Sequence, residues 1–295
     1  MPSTLQKLKF YLKSTLYGSL IAGCALYGVI ASIVLRIIGK KEYAQYTVAK
    51  VFYFACSSLL GLKITIKNEK YLHEKPAIII SNHQSALDIY VLGKIFQVGY
   101  TVTAKKALQY VPLLGWFMLA SGTFFLDRTR GEKARKVLDK AFDGVKAEKR
   151  GLFIFPEGTR SATSKLEMLP FKKGSFYLAK QGGLPIIPVV VSNTSDIFSS
   201  KNKIFNGGEI FIEVLEPMST DGLNSNEEVS NFCAEVRSKM LEKLKELGYS
   251  KVNSNTPRNE PSTNSASSSS EVETEVETEV VSEESPLVVN KSGSA

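Results

Sequence analysis

An α/β sandwich on a mixed or mainly parallel sheet is the fold class this sequence predicts, preceded by an N-terminal membrane-associated helical segment. Three observations predict it. From Leu62 onward, short apolar or alternating stretches take turns with longer amphipathic ones, the pattern of strands crossed by helices. One stretch, "PAIIIS", is wholly apolar, as a strand covered on both faces requires. Near the N-terminus, Tyr17–Ile38 has 22 residues of which only Arg36 is charged.

As a helix, that first run would measure roughly 33 Å, about the hydrocarbon core of a bilayer. It is too long for the apolar part of a cleaved signal peptide, so a retained anchor is expected, with a buried globular helix as the bland alternative. Lysines 7, 9 and 13 precede it and Lys40 and Lys41 follow, so flanking charge sets no orientation. A second helix is expected over about Glu42–Ser58, lying in the interface or returning along the first. Its aromatics suit a headgroup boundary or a protein core equally.

"LKITIKN" alternates and reads as a strand. "PAIIIS" is the next strand, "ALDIYVLGKIF" a helix, and "VGYTVTAK" and "SGTFFLDR" further strands. Gly131–Lys149 carries apolar residues on one side, as an amphipathic helix does. "GLFIFPEGTR" is a strand entering a loop, and "KGSFYLAKQGG" a helix stopped by Gly182 and Gly183. "LPIIPVVV" and "EIFIEVLEP" are strands, and Asn226–Leu247 is the last helix. A proline inside a strand lacks a ladder donor, so Pro188 marks an edge or irregular strand. The expected organisation is an anchor over 1–60, an α/β domain over 61–250 and an acidic Ser/Glu-rich tail over 251–295, too polar to offset its ordering entropy.

The formal net charge of +8 averages two unlike regions. From Thr256 onward eight glutamates face one arginine and one lysine, a net of −6 that leaves +14 for the remainder. So basic a body seeks lipid headgroups, phosphorylated substrates or nucleic acid. A nucleic-acid binder would not need the apolar anchor, so no nucleic-acid partner is expected. The three cysteines are scattered and odd in number, which fits neither a disulfide framework nor a metal site. No glycine-rich nucleotide fingerprint and no G-x-S-x-G elbow is present.

Only two histidines occur. His73 lies in a charged stretch that reads as a loop. His83 stands in "SNHQSALD", with Asp88 five residues on. Transfer of an acyl group to an alcohol needs a base, because the hydroxyl is a poor nucleophile until its proton has somewhere to go. Imidazole suits that role near neutral pH, and a carboxylate on its other nitrogen fixes the tautomer. A strand ending at Ser81 and a helix starting near Ser85 would bring Asp88 back onto His83. An oxyanion donor is sought among the backbone N–H groups near "NHQS".

Four blocks, "NHQSALD", "GTFFLDR", "FPEGTRS" and "LPIIPVV", occur in an order that resembles the glycerolipid acyltransferases of the 1-acylglycerol-3-phosphate acyltransferase type. The resemblance covers roughly Leu62–Glu216. It implies that His83 takes the acceptor's hydroxyl proton and that Asp88 supports it. It places Gly122 and Arg128 in the second block, where relatives hold the acceptor's phosphate, and Glu157, Gly158, Thr159 and Arg160 in an acceptor-binding loop. Arginine's planar fork grips phosphate at two points, which lysine's ammonium does not. Lys105 extends the cationic pocket; many eukaryotic relatives carry an acidic residue where this chain has Ala107. Pro185 and Pro188 belong to a region linked to the acyl donor. "VPLLGWFML" lines an acyl groove, touches membrane or packs as core.

The resemblance further implies transfer from acyl-CoA, as cosubstrate, to the free sn-2 hydroxyl of lysophosphatidate, beside a lipid bilayer. Neither a bound cofactor nor a metal is expected. Glycerol 3-phosphate or another lysophospholipid is the alternative acceptor, and a non-enzymatic membrane-shaping protein the remote one. The expected location is the endoplasmic reticulum membrane or the lipid droplet.

Overall fold

The computed structural model describes residues 2–126 and 146–253. Arg128, the acidic tail from Ser254 and most of the expected Gly131–Lys149 helix lie outside the described residues.

Helix α1 spans Thr4–Ile37, with Ser3 capping it by accepting the N–H of Gln6 at 3.2 Å. It begins well before the apolar run. Residues 4–16 are dominated by lysine, leucine and other good helix formers, so the charges end the hydrophobic stretch without ending the helix. A stripe of Phe10, Tyr17, Cys24, Gly28 and Ser32 is buried along it. Helix α2, Ala44–Leu60, returns along α1 after a short 3₁₀ turn at Lys41–Tyr43 and stops at Gly61, whose φ of 68° is left-handed.

The main sheet has its strands in the order β1 (Leu62–Lys67), β9 (Gly208–Val214), β6 (Ile186–Val191), β2 (Ala77–Ser81), β5 (Gly151–Ile154), β3 (Tyr100–Lys105), β4 (Phe124–Leu126), with β10 (Lys251–Val252) paired to β9. The strands from β6 to β4 are mutually parallel, while β9 is antiparallel to β6 and parallel to β1. The sheet is therefore mixed and mainly parallel, as expected. A separate hairpin pairs β7 (Phe198–Ser199) with β8 (Ile204–Phe205).

Every residue of β2 is buried. Ile79 faces a core shared with α1, α2 and α3 (Asp88–Ile95), which includes Phe10, Tyr17, Phe52 and Tyr90. Ile78 and Ile80 face the opposite core, formed with α5 (Gly174–Gly182) and α6 (Asn226–Leu247). Both faces are thus covered, which is why the strand needs no polar alternation. Each such isoleucine contributes about 1.5–3 kcal/mol on burial. Helix α4, Leu114–Ala120, lies against α1, and a Cβ on Gly28 would fall 2.5 Å from the Phe117 ring. All three cysteines are buried and unpaired. His73 is exposed at the end of a 3₁₀ turn, Glu69–His73.

Of the two alternatives for Pro188, an edge or an irregular strand, the structure shows the second: β6 lies between β9 and β2, and its ladder is interrupted at the proline. The proline is tolerated because the β6–β9 ladder begins only at Val189, with an isolated bridge at Ile186↔Met218 beyond it. Its missing donor falls in that gap.

Candidate active site

Parallel strands deliver their C-terminal loops to one edge of the sheet, where open α/β folds bind their ligands. Here β2 leads into His83, β5 into Phe155–Gly158, β6 into Ser192–Thr194, and β3 ends at Lys105.

His83 Nδ1 lies 2.6 Å from Asp88 Oδ2. Asp88 is the first residue of α3 and is buried. The same Oδ2 accepts the N–H of Gln84 at 2.8 Å and of Ser85 at 3.1 Å. The sequence spacing produces this because a tight turn after β2 brings the start of the helix back over the strand end. A carboxylate there also meets the positive end of the helix dipole. Asp88 takes Nδ1, so Nε2 is the ring nitrogen left for a substrate. The Phe155 ring stacks on the imidazole at 4.0 Å between centroids and 16° between planes.

Glu157 is 3% exposed. Its Oε1 accepts the N–H of His83 at 2.7 Å and its Oε2 that of Leu169 at 2.9 Å. Burial pushes its carboxyl above the usual carboxylate range, while the two N–H donors pull it back. With both oxygens occupied by backbone, Glu157 is a clamp between the two loops. Ser161 and Ala162 complete the clamp by donating N–H bonds to the carbonyls of His83 (2.9 Å) and Gln84 (3.1 Å). Arg160 directly precedes this pairing and is exposed, so its guanidinium projects from backbone held beside His83.

The loop after β2 is also stitched to β6. Asn82 exchanges two 2.9 Å bonds with the backbone of Val191, as a strand residue would. Gln84 donates to the carbonyls of Val191 and Ser192 and accepts the N–H of Thr194. From the other side, the Tyr17 hydroxyl of α1 donates to the Ala86 carbonyl at 2.8 Å. The turn that carries His83 is therefore held by the sheet, the neighbouring loop and the N-terminal helix together.

The structure brings His83, Asp88, Glu157, Gly158, Thr159 and Arg160 into one cluster. Lys105 sits on the same edge, exposed, two strands from β2 and hence roughly 10 Å away. Gly122 does not join them. It precedes β4 at the opposite edge, with φ of 80°, in the turn between α4 and β4. Pro185 is likewise at the entrance of β6, roughly 20 Å along the strand from its C-terminal loop; Pro188 lies within the strand. The oxyanion donor sought near "NHQS" is not found in the N–H groups of His83, Gln84 and Ser85, because carboxylates occupy all three. Among the described residues no cluster of three or more metal-ligating side chains forms.

Several contributors escaped the sequence reading. Phe155 opens the "FPEGTRS" block, yet an aromatic at a strand end reads as core. Asn82 and Gln84 flank the histidine, and only the register of β2 beside β6 reveals what they hold. Lys172 lies against Gly158, so that a Cβ there would meet its Cε at 2.8 Å. That brings a further cation to the loop.

The chain is similar to known enzymes along most of its length. The acyltransferase family profile matches residues 63–192. The 1-acyl-sn-glycerol-3-phosphate acyltransferase of Saccharomyces cerevisiae is 50% identical over 254 residues, 86% of this chain and 84% of that protein. The human 1-acyl-sn-glycerol-3-phosphate acyltransferase beta is 33% identical, covering 74% of this chain and 77% of its own. The crystal structure of the 1-acyl-sn-glycerophosphate (LPA) acyltransferase PlsC from Thermotoga maritima superposes with a TM-score of 0.63 at 26% identity, over 82% of this chain and 95% of that one. With its sheet shared with one such enzyme and half its aligned residues with another, this chain belongs to the 1-acyl-sn-glycerol-3-phosphate acyltransferase family.

Proposed function

We propose that the protein transfers an acyl group from acyl-CoA to the free sn-2 hydroxyl of 1-acyl-sn-glycerol 3-phosphate, giving phosphatidate and free CoA. The observation that carries this reading is the His83–Asp88 pair. Asp88 occupies Nδ1 at 2.6 Å, so Nε2 is the nitrogen left to take a proton.

His83 Nε2 takes the proton of the acceptor hydroxyl as its oxygen attacks the thioester carbonyl. The C–S bond then breaks, and CoA leaves as a thiolate that recovers the proton from the imidazolium. Asp88 stabilises the imidazolium in between. Glu157 fixes the backbone of His83 and takes no proton. Arg160, Lys105 and Arg128 bind the acceptor's phosphate, with Gly158 and Thr159 shaping the loop beneath it. Pro185 and Pro188 act on the acyl donor only through the shape of β6.

Helix α1 is long and apolar enough to cross a membrane and supplies the membrane association. Residues 1–60 form the anchor, 61–250 the catalytic domain and 251–295 the acidic tail. The endoplasmic reticulum membrane, with the lipid droplet as a second station, is the location that suits lipid substrates.

Membranes containing the full chain, offered labelled acyl-CoA with lysophosphatidate, glycerol 3-phosphate and lysophosphatidylcholine in parallel, test the reading. Lysophosphatidate is the expected preferred acceptor. Faster acylation of either competitor would overturn the acceptor assignment.

A further inference from the structure

Twenty consecutive residues, Ala107–Leu126, carry no Asp, Glu, Lys, Arg or His. They include α4, which at seven residues cannot cross a bilayer. They also include all but the first residue of a 3₁₀ turn, Lys106–Tyr110. In a water-soluble domain such a stretch would be core. Here four of its large side chains are outside: Tyr110 is 74% exposed, Trp116 58%, Leu119 55% and Val111 40%, while Met118 turns inward.

The inner side of α4 is used differently. Phe117 presses on Gly28 of α1, where even a methyl group would collide with its ring. The two helices therefore touch in the middle of the apolar run of α1. Around that contact α1 exposes Tyr27, Ile30 and Ile33. The outer residues of α4, Trp116 and Leu119, are apolar like these. The Phe117–Gly28 contact thus places α4 level with the middle of the apolar run of α1.

We propose that Tyr110–Leu119 is a second membrane-inserted element, seated among lipid acyl chains beside α1. The proposal rests on the membrane association of α1 described above. A lipid occupant is favoured over a protein partner by continuity with the exposed face of α1 and by composition. Tyrosine and tryptophan beside aliphatic residues suit the boundary between headgroups and chains. Lys105, exposed at the end of β3, stands just before the segment. Insertion holds that end of the substrate-binding edge at headgroup depth, where the phosphate of a lysophospholipid lies. The acceptor then reaches His83 without leaving the bilayer.

Trp116 is the chain's single tryptophan, so its fluorescence in the full-length wild-type protein reports on this segment alone. The protein is reconstituted into phosphatidylcholine vesicles with plain or brominated acyl chains, and vesicle flotation checks association. The expected result is blue-shifted emission that is quenched by acyl-chain bromines and little by aqueous iodide. Quenching by iodide alone, on protein that floats, overturns the insertion while leaving the membrane association of α1 intact. Resistance to both quenchers also overturns it, since a second copy or another protein would then cover the patch. Failure to float defeats the membrane association itself.

Discussion

The Asp88 carboxylate holds His83 through a single oxygen that serves three donors: the imidazole Nδ1 at 2.6 Å and the N–H groups of Gln84 and Ser85 at 2.8 and 3.1 Å. One atom thus sets both the ring orientation and the turn that carries the ring. Asp88→Asn keeps the shape but either faces two N–H donors with an amide NH₂ or offers Nδ1 an uncharged partner. The expected loss in kcat is on the order of 10³-fold, with acceptor KM little changed. Steady-state kinetics in membranes checks this. A loss below tenfold would show that Asp88 only shapes the turn.

Glu157 is expected to act on His83 through the backbone. Glu157→Gln can satisfy only one of the N–H groups of His83 and Leu169, and leaving the other unpaired costs about 1–3 kcal/mol. The pH dependence has a definite sign. Burial raises the folded carboxyl above its unfolded value, so ionisation costs stability as pH rises from the ordinary carboxylate range through the raised one. The deficit of Glu157→Gln should therefore be largest at low pH and shrink as pH increases. Denaturation in micelles across that range tests it; a deficit that grows with pH would contradict it.

Gly158 adopts a φ of 72° with Lys172 packed where a side chain would point. Gly158→Ala should cost about 1–2 kcal/mol from the left-handed backbone alone. The Lys172 side chain is flexible and will move aside. Acceptor KM should then rise along with the fall in melting temperature. Unchanged KM in a folded variant would show that the Gly158 backbone does not shape the acceptor-binding loop.

Arg160→Ala should weaken phosphate-bearing acceptors by roughly 10- to 100-fold in kcat/KM, well short of the loss expected on removing the base. An acceptor analogue lacking the phosphate should be almost unaffected. Competition between the two acceptors reads the difference directly, and equal losses for both would end the phosphate assignment.

Much of this was legible in the chain itself. "AIIIS" is buried on both faces because its three isoleucines serve two cores, and Asn226–Leu247 is a helix with the bounds its periodicity implies. His83 and Asp88 were readable because a five-residue spacing across a strand–helix turn is a local geometry. Gly122 and Pro188 were harder. Which edge of the sheet a glycine occupies, and whether a proline's strand is interior, depend on pairing between distant segments such as β6 and β9. The clamp by Glu157 and the stacking of Phe155 share that origin: β5 lies beside β2 only in the folded sheet. The early start of α1 reflects a different limit, since hydropathy detects the apolar run and not the helix that contains it.

The role of His83 as the base is tested most directly by the turnover of His83→Ala with acyl-CoA and lysophosphatidate in membranes, on protein shown by its thermal unfolding to retain the wild-type fold. Removal of the base is expected to lower kcat by about 10³-fold or more. A folded His83→Ala enzyme working within tenfold of wild type would contradict the account.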